Sequence, residues 1–376
     1  MRRVAIIAPN YHPTVCGVGD HSMRLASELV GRGVDVAIFT REPAEPHPEA
    51  PSVQVFSVPA PTPLVGALRL IRILRAWRPQ EAILQYTPPM LGASQYGSSA
   101  ALLIATALAQ TGVRVTIVAH ELHLPWLRRP DLLAAAAFQR VLLLGLVAAA
   151  DRFIVTTESR LEELRRLCRG LARHRRIDVV PVGSNVAPLD ARRQPGRLRV
   201  GQFSSFNVSK RFDVLLDAFA RIAAAVPTAE LWLIGQVGSD ASRRGRGLRA
   251  AIASHPAVDR IKITGRLSLP EVAASVASLS LYLFPMDTGA TTRSGTLPLP
   301  LGSSVPVVAT RGRETSSLFV PDENVVFADS LTGEGFARAT LRLTSDPQLA
   351  KRVAEGGRRL YEQHLSWRVI APAILS

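Results

Sequence analysis

Along this chain, short uninterrupted apolar runs alternate with longer stretches in which apolar positions return every three or four residues. The runs RRVAIIAP, VDVAIFT, EAILQYTP, VRVTIVAHE and DRFIVTTE are dense in branched and aromatic side chains. A run apolar on both of its alternating faces predicts a strand covered on both sides, as in a parallel sheet. Between these runs lie helical patterns, beginning with GVGDHSMRLASELVGRG, which stops at Gly33. IDVVPVGSN follows as a last strand and exit loop. After the polar Pro/Gly stretch LDARRQPGRL the plan starts again, with RLRVGQF, AELWLIG, RIKITG, LSLYLFP and VPVVAT as strands and helical patterns over 211–224, 245–254 and 270–278. Such alternation predicts parallel sheets with crossover helices. The 376 residues suit two ordinary domains better than one.

Composition adds limits. Hydrophobic residues make up 47% of the chain, enough for two cores, and Cys16 and Cys168 lack any neighbour at metal-ligand spacing, which suits a reducing compartment. The apolar start RRVAIIAP is too short for a signal peptide and runs straight into a strand. LLAAAAFQRVLLLGLVAAA is interrupted by Gln139 and Arg140, and a spanning helix needs roughly 20 continuous apolar residues. It therefore predicts a buried or interfacial helix, and the expected location is the cytoplasm or the inner face of the membrane.

Of the net charge of +15, nearly all is arginine, since lysine stands only at 210, 262 and 351. Arg69, Arg72, Arg75 and Arg78 recur at three-residue spacing with Leu68, Ile71 and Leu74 between them. That pattern is ordinarily a solvated face over core leucines, and it is also the pattern of a helix that lies on anionic lipid. A second basic cluster comprises Arg165, Arg166, Arg169, Arg173, Arg175 and Arg176. No helix-turn-helix, zinc-finger or RNP pattern accompanies it, so no nucleic-acid partner is expected.

Candidate chemistry sits where strands end. In an open parallel sheet ligands collect at the carboxyl ends of strands, and Lys210, Gly265, Arg293 and Glu314 follow successive strand runs. Gly17 and Gly19 precede a helix, and such a loop lets backbone approach a ligand while the helix amides attract anions. It lacks the third glycine of a dinucleotide fingerprint. His120 and Glu121 close a strand, and HELH does not have the HExxH spacing of a zinc helix. A lysine such as Lys210 can neutralise the charge growing on a departing diphosphate. Arg293, Ser294, Gly295 and Thr296 supply a guanidinium, amides and hydroxyls at an expected helix start, a set that suits a diphosphate. Pro298 and Pro300 predict that this helix is short or begins late. No D-x-D string occurs in the chain, so no metal is expected.

The strings CGVGDHSMRLASELVGRGVDVAIFT, HE, VVPVGSN, SKRFDVLLDAF, WLIG, ITGRLS, LYLFP, LGSSVPVVATRGRE and PDEN, in that order over nearly the whole chain, resemble the group 1, or family 4, retaining glycosyltransferases of the GT-B fold. The resemblance implies two Rossmann-like α/β domains facing each other across a cleft, with a C-terminal crossover helix. The implied bounds are 1–188 for the acceptor-side domain, 189–198 for a linker, 199–358 for the nucleotide-sugar domain and 359–376 for the crossover helix. It implies transfer of a sugar from a nucleoside diphosphate sugar to a lipid-linked, glycan or small-molecule acceptor, with no cofactor. His120, Lys210 and Arg293 would serve the reaction, and Gly17, Gly19, Gly265, Arg266, Ser294, Gly295, Thr296 and Glu314 would hold the donor.

Two departures stand out from the family's pattern. An arginine usual upstream of the lysine is replaced near Gln202, with Arg211 or Arg293 as substitutes. The paired glutamates fall at Thr291 and Leu299, as in a divergent branch with an R-x-G-T/S-L run. Glu314 is the carboxylate left for the ribose hydroxyls. Alternative readings are a non-catalytic nucleotide-sugar-binding relative and a sugar-nucleotide epimerase, which would need an acid and a base beyond His120 and Glu121.

Overall fold

The structure, a computed structural model, describes the chain apart from residues 1, 15, 42, 89–98, 127–128, 172–174, 192–195, 205–209, 239–241 and 376 and the side chain of residue 244. Two compact units make it up. One is Met1–Val182 with Trp367–Ser376, and the other is Gly183–Ser366.

The first unit runs β1 (Arg3–Ile7), α1 (Gly17–Gly31), β2 (Asp35–Thr40), β3 (Gln54–Ser57), α2 (Pro63–Trp77), β4 (Glu81–Tyr86), α3 (Ser99–Ala109), β5 (Arg114–Ala119), α4 (Pro130–Ala149), β6 (Arg152–Val155), α5 (Glu158–Leu167) and β7 (Arg176–Val179). Its seven strands are all parallel, in the order β3-β2-β1-β4-β5-β6-β7. Ile6, Ile38, Ile83 and Ile154 point to one face and Ile7, Phe39, Leu84 and Phe153 to the other, all buried, which is why these strands read as unbroken apolar runs. The order reverses between β1 and β4, the switch point beside which such sheets bind ligands.

The second unit runs β8 (Leu198–Phe203), α6 (Phe212–Ala225), β9 (Ala229–Ile234), α7 (Arg243–Ala253), β10 (Ile261–Ile263), α8 (Leu269–Ala277), β11 (Leu281–Phe284), α9 (Pro298–Gly302), β12 (Val307–Thr310), β13 (Val326–Ala328), α10 (Gly333–Ser345) and α11 (Pro347–Leu360). Its parallel order is β10-β9-β8-β11-β12-β13, with the reversal between β8 and β11. A π-turn over Tyr361–Leu365 continues α11 in this unit, so the returning helix α12 (Trp367–Leu375) starts later than residue 359. The first crossing lies between Val182 and Gly183, ahead of the polar 189–198 stretch.

Two outer details of the first unit bear on function. On α2, Ile71 and Leu74 enter the core, but Leu68 faces outward with Leu64, Arg72 and Arg75. On α4, a 20-residue, mostly apolar helix, Leu142, Leu143, Leu146 and Val147 are core residues while Leu133 and Val141 are exposed. Gln139 and Arg140, which interrupt its apolar run, pin the loop after β5. Gln139 accepts the Leu124 N–H at 2.8 Å, and Arg140 donates to the Leu124 carbonyl at 3.1 Å.

In the second basic cluster Arg166 pairs with Glu162, Arg176 pairs with Asp178, and Arg173 lies outside the described residues.

Candidate functional site

In the second unit the loops at the carboxyl ends of β11 and β12 meet, with Lys210 beside them. The loop after β11 and the loop after β12 are joined by main-chain bonds: Ala290 N–H to Thr310 O, Glu314 N–H to Thr288 O and Ser316 N–H to Ala290 O, each at 3.0 Å. Their approach is close because Gly289 sits at φ +89°, and a β-carbon there would lie 2.4 Å from the Gly312 nitrogen. Only glycine tolerates both conditions.

That joint presents Arg293 and Glu314 to each other, with Nε 3.3 Å from Oε2 and the carboxylate only 15% exposed. Lys210, half-buried ahead of α6, stands with Nζ 5.5 Å from the centre of the Phe284 ring. Burial, and then the Arg293 charge, push its ammonium down to about 8. Lys210, Arg293 and Glu314 therefore share one polar patch. Arg211 does not join it on the same terms. Its guanidinium is bound to Asp213 at 2.7 Å and Asp287 at 3.3 Å, and these carboxylates hold it charged. Gln202, nearest the family's arginine, is buried in β8.

Ser294 and Thr296 exchange a hydroxyl contact at 3.2 Å. The Thr296 hydroxyl also bonds the buried Tyr282, whose own hydroxyl accepts from Phe203 N at 3.2 Å and donates to Phe203 O at 3.0 Å. Tyr282 thus ties the R-S-G-T run to the end of β8. The helix that follows, α9, is five residues long and opens at Pro298, the position where proline is tolerated. Thr291 and Leu299, where the family's glutamates would stand, are buried, and Leu299 belongs to the core. Gly265, left-handed at φ +71°, and the exposed Arg266 lie at the end of β10, two strands from β8.

In the first unit, Gly17 is exposed at the start of α1, with nothing within 4 Å of the site a β-carbon would take. Gly19 is buried, its would-be β-carbon 3.0 Å from the Asn10 carbonyl oxygen, so its lack of a side chain serves packing against the backbone of the loop that follows β1. His120 follows β5. Its N–H bonds Tyr86 O at 2.9 Å, and its Nε2 lies 2.7 Å from Gln85 Oε1. Burial pushes its imidazole down to about 4, so it is uncharged at neutral pH. Glu121 is bound to Arg160, and His123 to Glu163 at 3.1 Å, so each of these two carboxylates has a charged or imidazole partner. Among the described residues no three His, Cys, Asp or Glu side chains form a group able to hold a metal ion.

Sequence reasoning passed over Gln85, Tyr282 and His21. For the first two a signal existed: a polar-headed residue inside an otherwise apolar strand run, EAILQY or LSLYLF, is one that must find a partner. His21 was hidden among the polar residues that open α1.

Two parallel α/β sheets, of seven and six strands, define the architecture of a GT-B protein. Residues 15–187 match the family described as Glycosyltransferase Family 4, and residues 195–346 match Glycosyl transferases group 1. This chain belongs to the group 1 GT-B glycosyltransferases and is an enzyme of that class. No curated protein sequence matches it. Among solved structures it is similar to sucrose-phosphate synthase from Thermosynechococcus elongatus, at 16% identity and a TM-score of 0.73, covering 100% of this chain and 97% of that one. A glycosyltransferase from Rickettsia africae is similar at 12% identity and a TM-score of 0.75, over 100% and 97%. So is HepE from Anabaena, solved with UDP, at 12% identity and a TM-score of 0.73, over 100% and 98%. At these identities the likeness is one of fold.

Proposed function

We propose that this enzyme moves a sugar from a nucleoside diphosphate sugar to an acceptor hydroxyl, without a metal ion and with retention of configuration. The observation that carries the reading is the cationic patch of Lys210 and Arg293, braced by Glu314, at the carboxyl ends of β8, β11 and β12. Two positive side chains close together offer a site for a diphosphate. Preformed charge of this kind acts where negative charge grows as the sugar departs. HepE, solved with UDP and with UDP-glucose, supports the donor class.

Arg293 and Lys210 take the diphosphate oxygens, with Ser294, Gly295 and Thr296 adding hydroxyls and amides. Glu314 orients Arg293, and its other oxygen is assigned to the ribose hydroxyls. Gly265 and Arg266 are assigned to the base, and Gly17 and Gly19 to the loop that faces the donor. His120, uncharged, is assigned to a hydroxyl of the transferred sugar. In a front-face transfer the bond from the anomeric carbon to the phosphate oxygen breaks as the bond to the acceptor oxygen forms on the same side. The departing oxygen takes the acceptor's proton, so no protein base is required.

The acceptor is assigned to the lipid-linked, glycan or small-alcohol class, met at the cytoplasmic face of an anionic membrane. In support, the outward side of the α2–α4 layer carries Leu64, Leu68 and Val141 beside Arg72 and Arg75. Trp126, 59% exposed, rests on the Arg140 guanidinium at 4.0 Å. Asp131 is the one acidic residue in these three helices. An apolar stripe with arginines and a tryptophan suits the headgroup region of a bilayer.

The test is a panel of sugar nucleotides, assayed with and without EDTA, with the anomeric configuration of the product read by NMR. Transfer or slow hydrolysis that survives chelation and retains configuration is expected. Activity abolished by EDTA, or an inverted product, would overturn the corresponding part. Binding of a donor with no turnover under any condition would overturn the catalytic reading.

A further inference from the structure

Beside His120 lies a second imidazole that the reaction above does not use. His21, on α1, is 2% exposed, and neither ring nitrogen has a hydrogen-bond partner among the described residues. Leaving two polar atoms unmet in an apolar setting is costly, so leucine or phenylalanine would fill the space at less expense. What the imidazole has instead is its neighbours. Its ring stands edge-on to His120, centroids 4.8 Å apart and planes at 86°, and against Trp367 at 4.7 Å and 63°. Trp367 is the residue at which the chain re-enters the first unit. On the far side, Gln85 is buried in β4 with Oε1 2.7 Å from His120 Nε2.

We infer that His21 is a positioning residue for His120. Gln85 takes the Nε2 proton, which fixes the tautomer and leaves the Nδ1 lone pair for a sugar hydroxyl. His21, backed by Trp367, fixes the plane of the ring through an edge-to-face contact whose polar edge an aliphatic side chain cannot supply. The same contact keeps the pair uncharged, because an imidazolium at either position would meet the other ring in a buried site. The remaining charged groups that face His120 are Glu121 and Arg160, and these are paired with each other. The inference rests on the reading of His120 as the group that meets the transferred sugar.

The test is a double-mutant cycle on transfer kinetics with His21→Leu, His120→Ala and the pair. His21→Leu is expected to lower kcat about tenfold with the donor KM within about twofold, as for a misplaced orienting group, and to cost nothing further in the His120→Ala background. An unchanged kcat in His21→Leu, or the same loss with and without His120, would overturn the inference, since a packing role is additive. Should His21→Leu fail to fold, His21→Met, which fills the space without an aromatic edge, is read in the same cycle with the same two outcomes. The parent reading fails separately: His120→Ala would then turn over as fast as the wild type.

Discussion

At the scale of single residues, the two arginines near the donor patch make opposite cases. Arg211 has its charge neutralised by Asp213 and Asp287, whereas Arg293 pairs with Glu314 and lies close enough to Lys210 to disfavour its protonation. Arg293→Ala is therefore expected to cut kcat/KM for the donor by about 10²-fold or more, the loss of one electrostatic contact to a developing anion, and Arg211→Ala by much less. Steady-state kinetics with one donor decide it, and equal losses would refute the assignment. Lys210 adds a pH signature. With its pKa lowered to about 8, the ammonium is present below that pH and lost above it. kcat/KM, which reports the free enzyme, should fall as pH rises through about 8. Lys210→Arg, which stays charged, should move that limb to higher pH. A profile flat through pH 9 in the wild type would argue against Lys210 as the phosphate cation.

At the scale of elements, the site depends on how two loops are sewn together. Gly289→Ala would place a β-carbon 2.2 Å from Thr315 Oγ1 and 2.4 Å from the Gly312 nitrogen, at a φ of +89°. The expected result is a destabilisation of about 2–3 kcal/mol, together with weakened donor binding, because the loops that carry Arg293 and Glu314 must part. Denaturant unfolding and donor titration together check it; a stable variant with normal donor affinity would show that the joint does not set the site. Much of this was legible beforehand. The R-S-G-T run and the early prolines were readable as a loop into a short late helix, since Pro298 acts through its own backbone. The Arg293–Glu314 pair was not readable, because it depends on the register of two loops separated by β12. Nor were β3 and β13 anticipated. Each is a short edge strand with one neighbour, so neither shows the long apolar run that marked the central strands. Leu68 was expected beneath the arginines and instead faces outward, since the pattern alone does not fix how a helix rotates on its layer.

At the scale of the whole molecule, the chain closes its first unit with its last residues. Ile370, Ala371 and Ile374 of α12 are fully buried in the core that β1, β2 and α1 build, and Trp367 packs on His21. Polar ties reinforce this seam. Arg152, buried, donates to Ile374 O at 2.9 Å while bound to Asp178 at 2.6 Å. Arg32 reaches Arg368 O at 2.9 Å, and Arg2 reaches Leu375 O at 3.1 Å. Removing residues 367–376 would strip several large apolar side chains from one core and leave Arg152 with a single partner. Each lost isoleucine is worth about 2–5 kcal/mol, so the total is comparable with the whole stability of an ordinary domain, about 5–15 kcal/mol. The second unit keeps its own cores, with α10 and α11 intact. The shortened chain is therefore expected to lose the first unit while the second stays folded. Calorimetry should show the transition of one unit gone and the other near its original temperature, and limited proteolysis should leave a resistant fragment beginning near Gly183. A single transition close to that of the full chain would mean that α12 is dispensable to the first unit's core, and with it the argument that Trp367 has a fixed place behind His21.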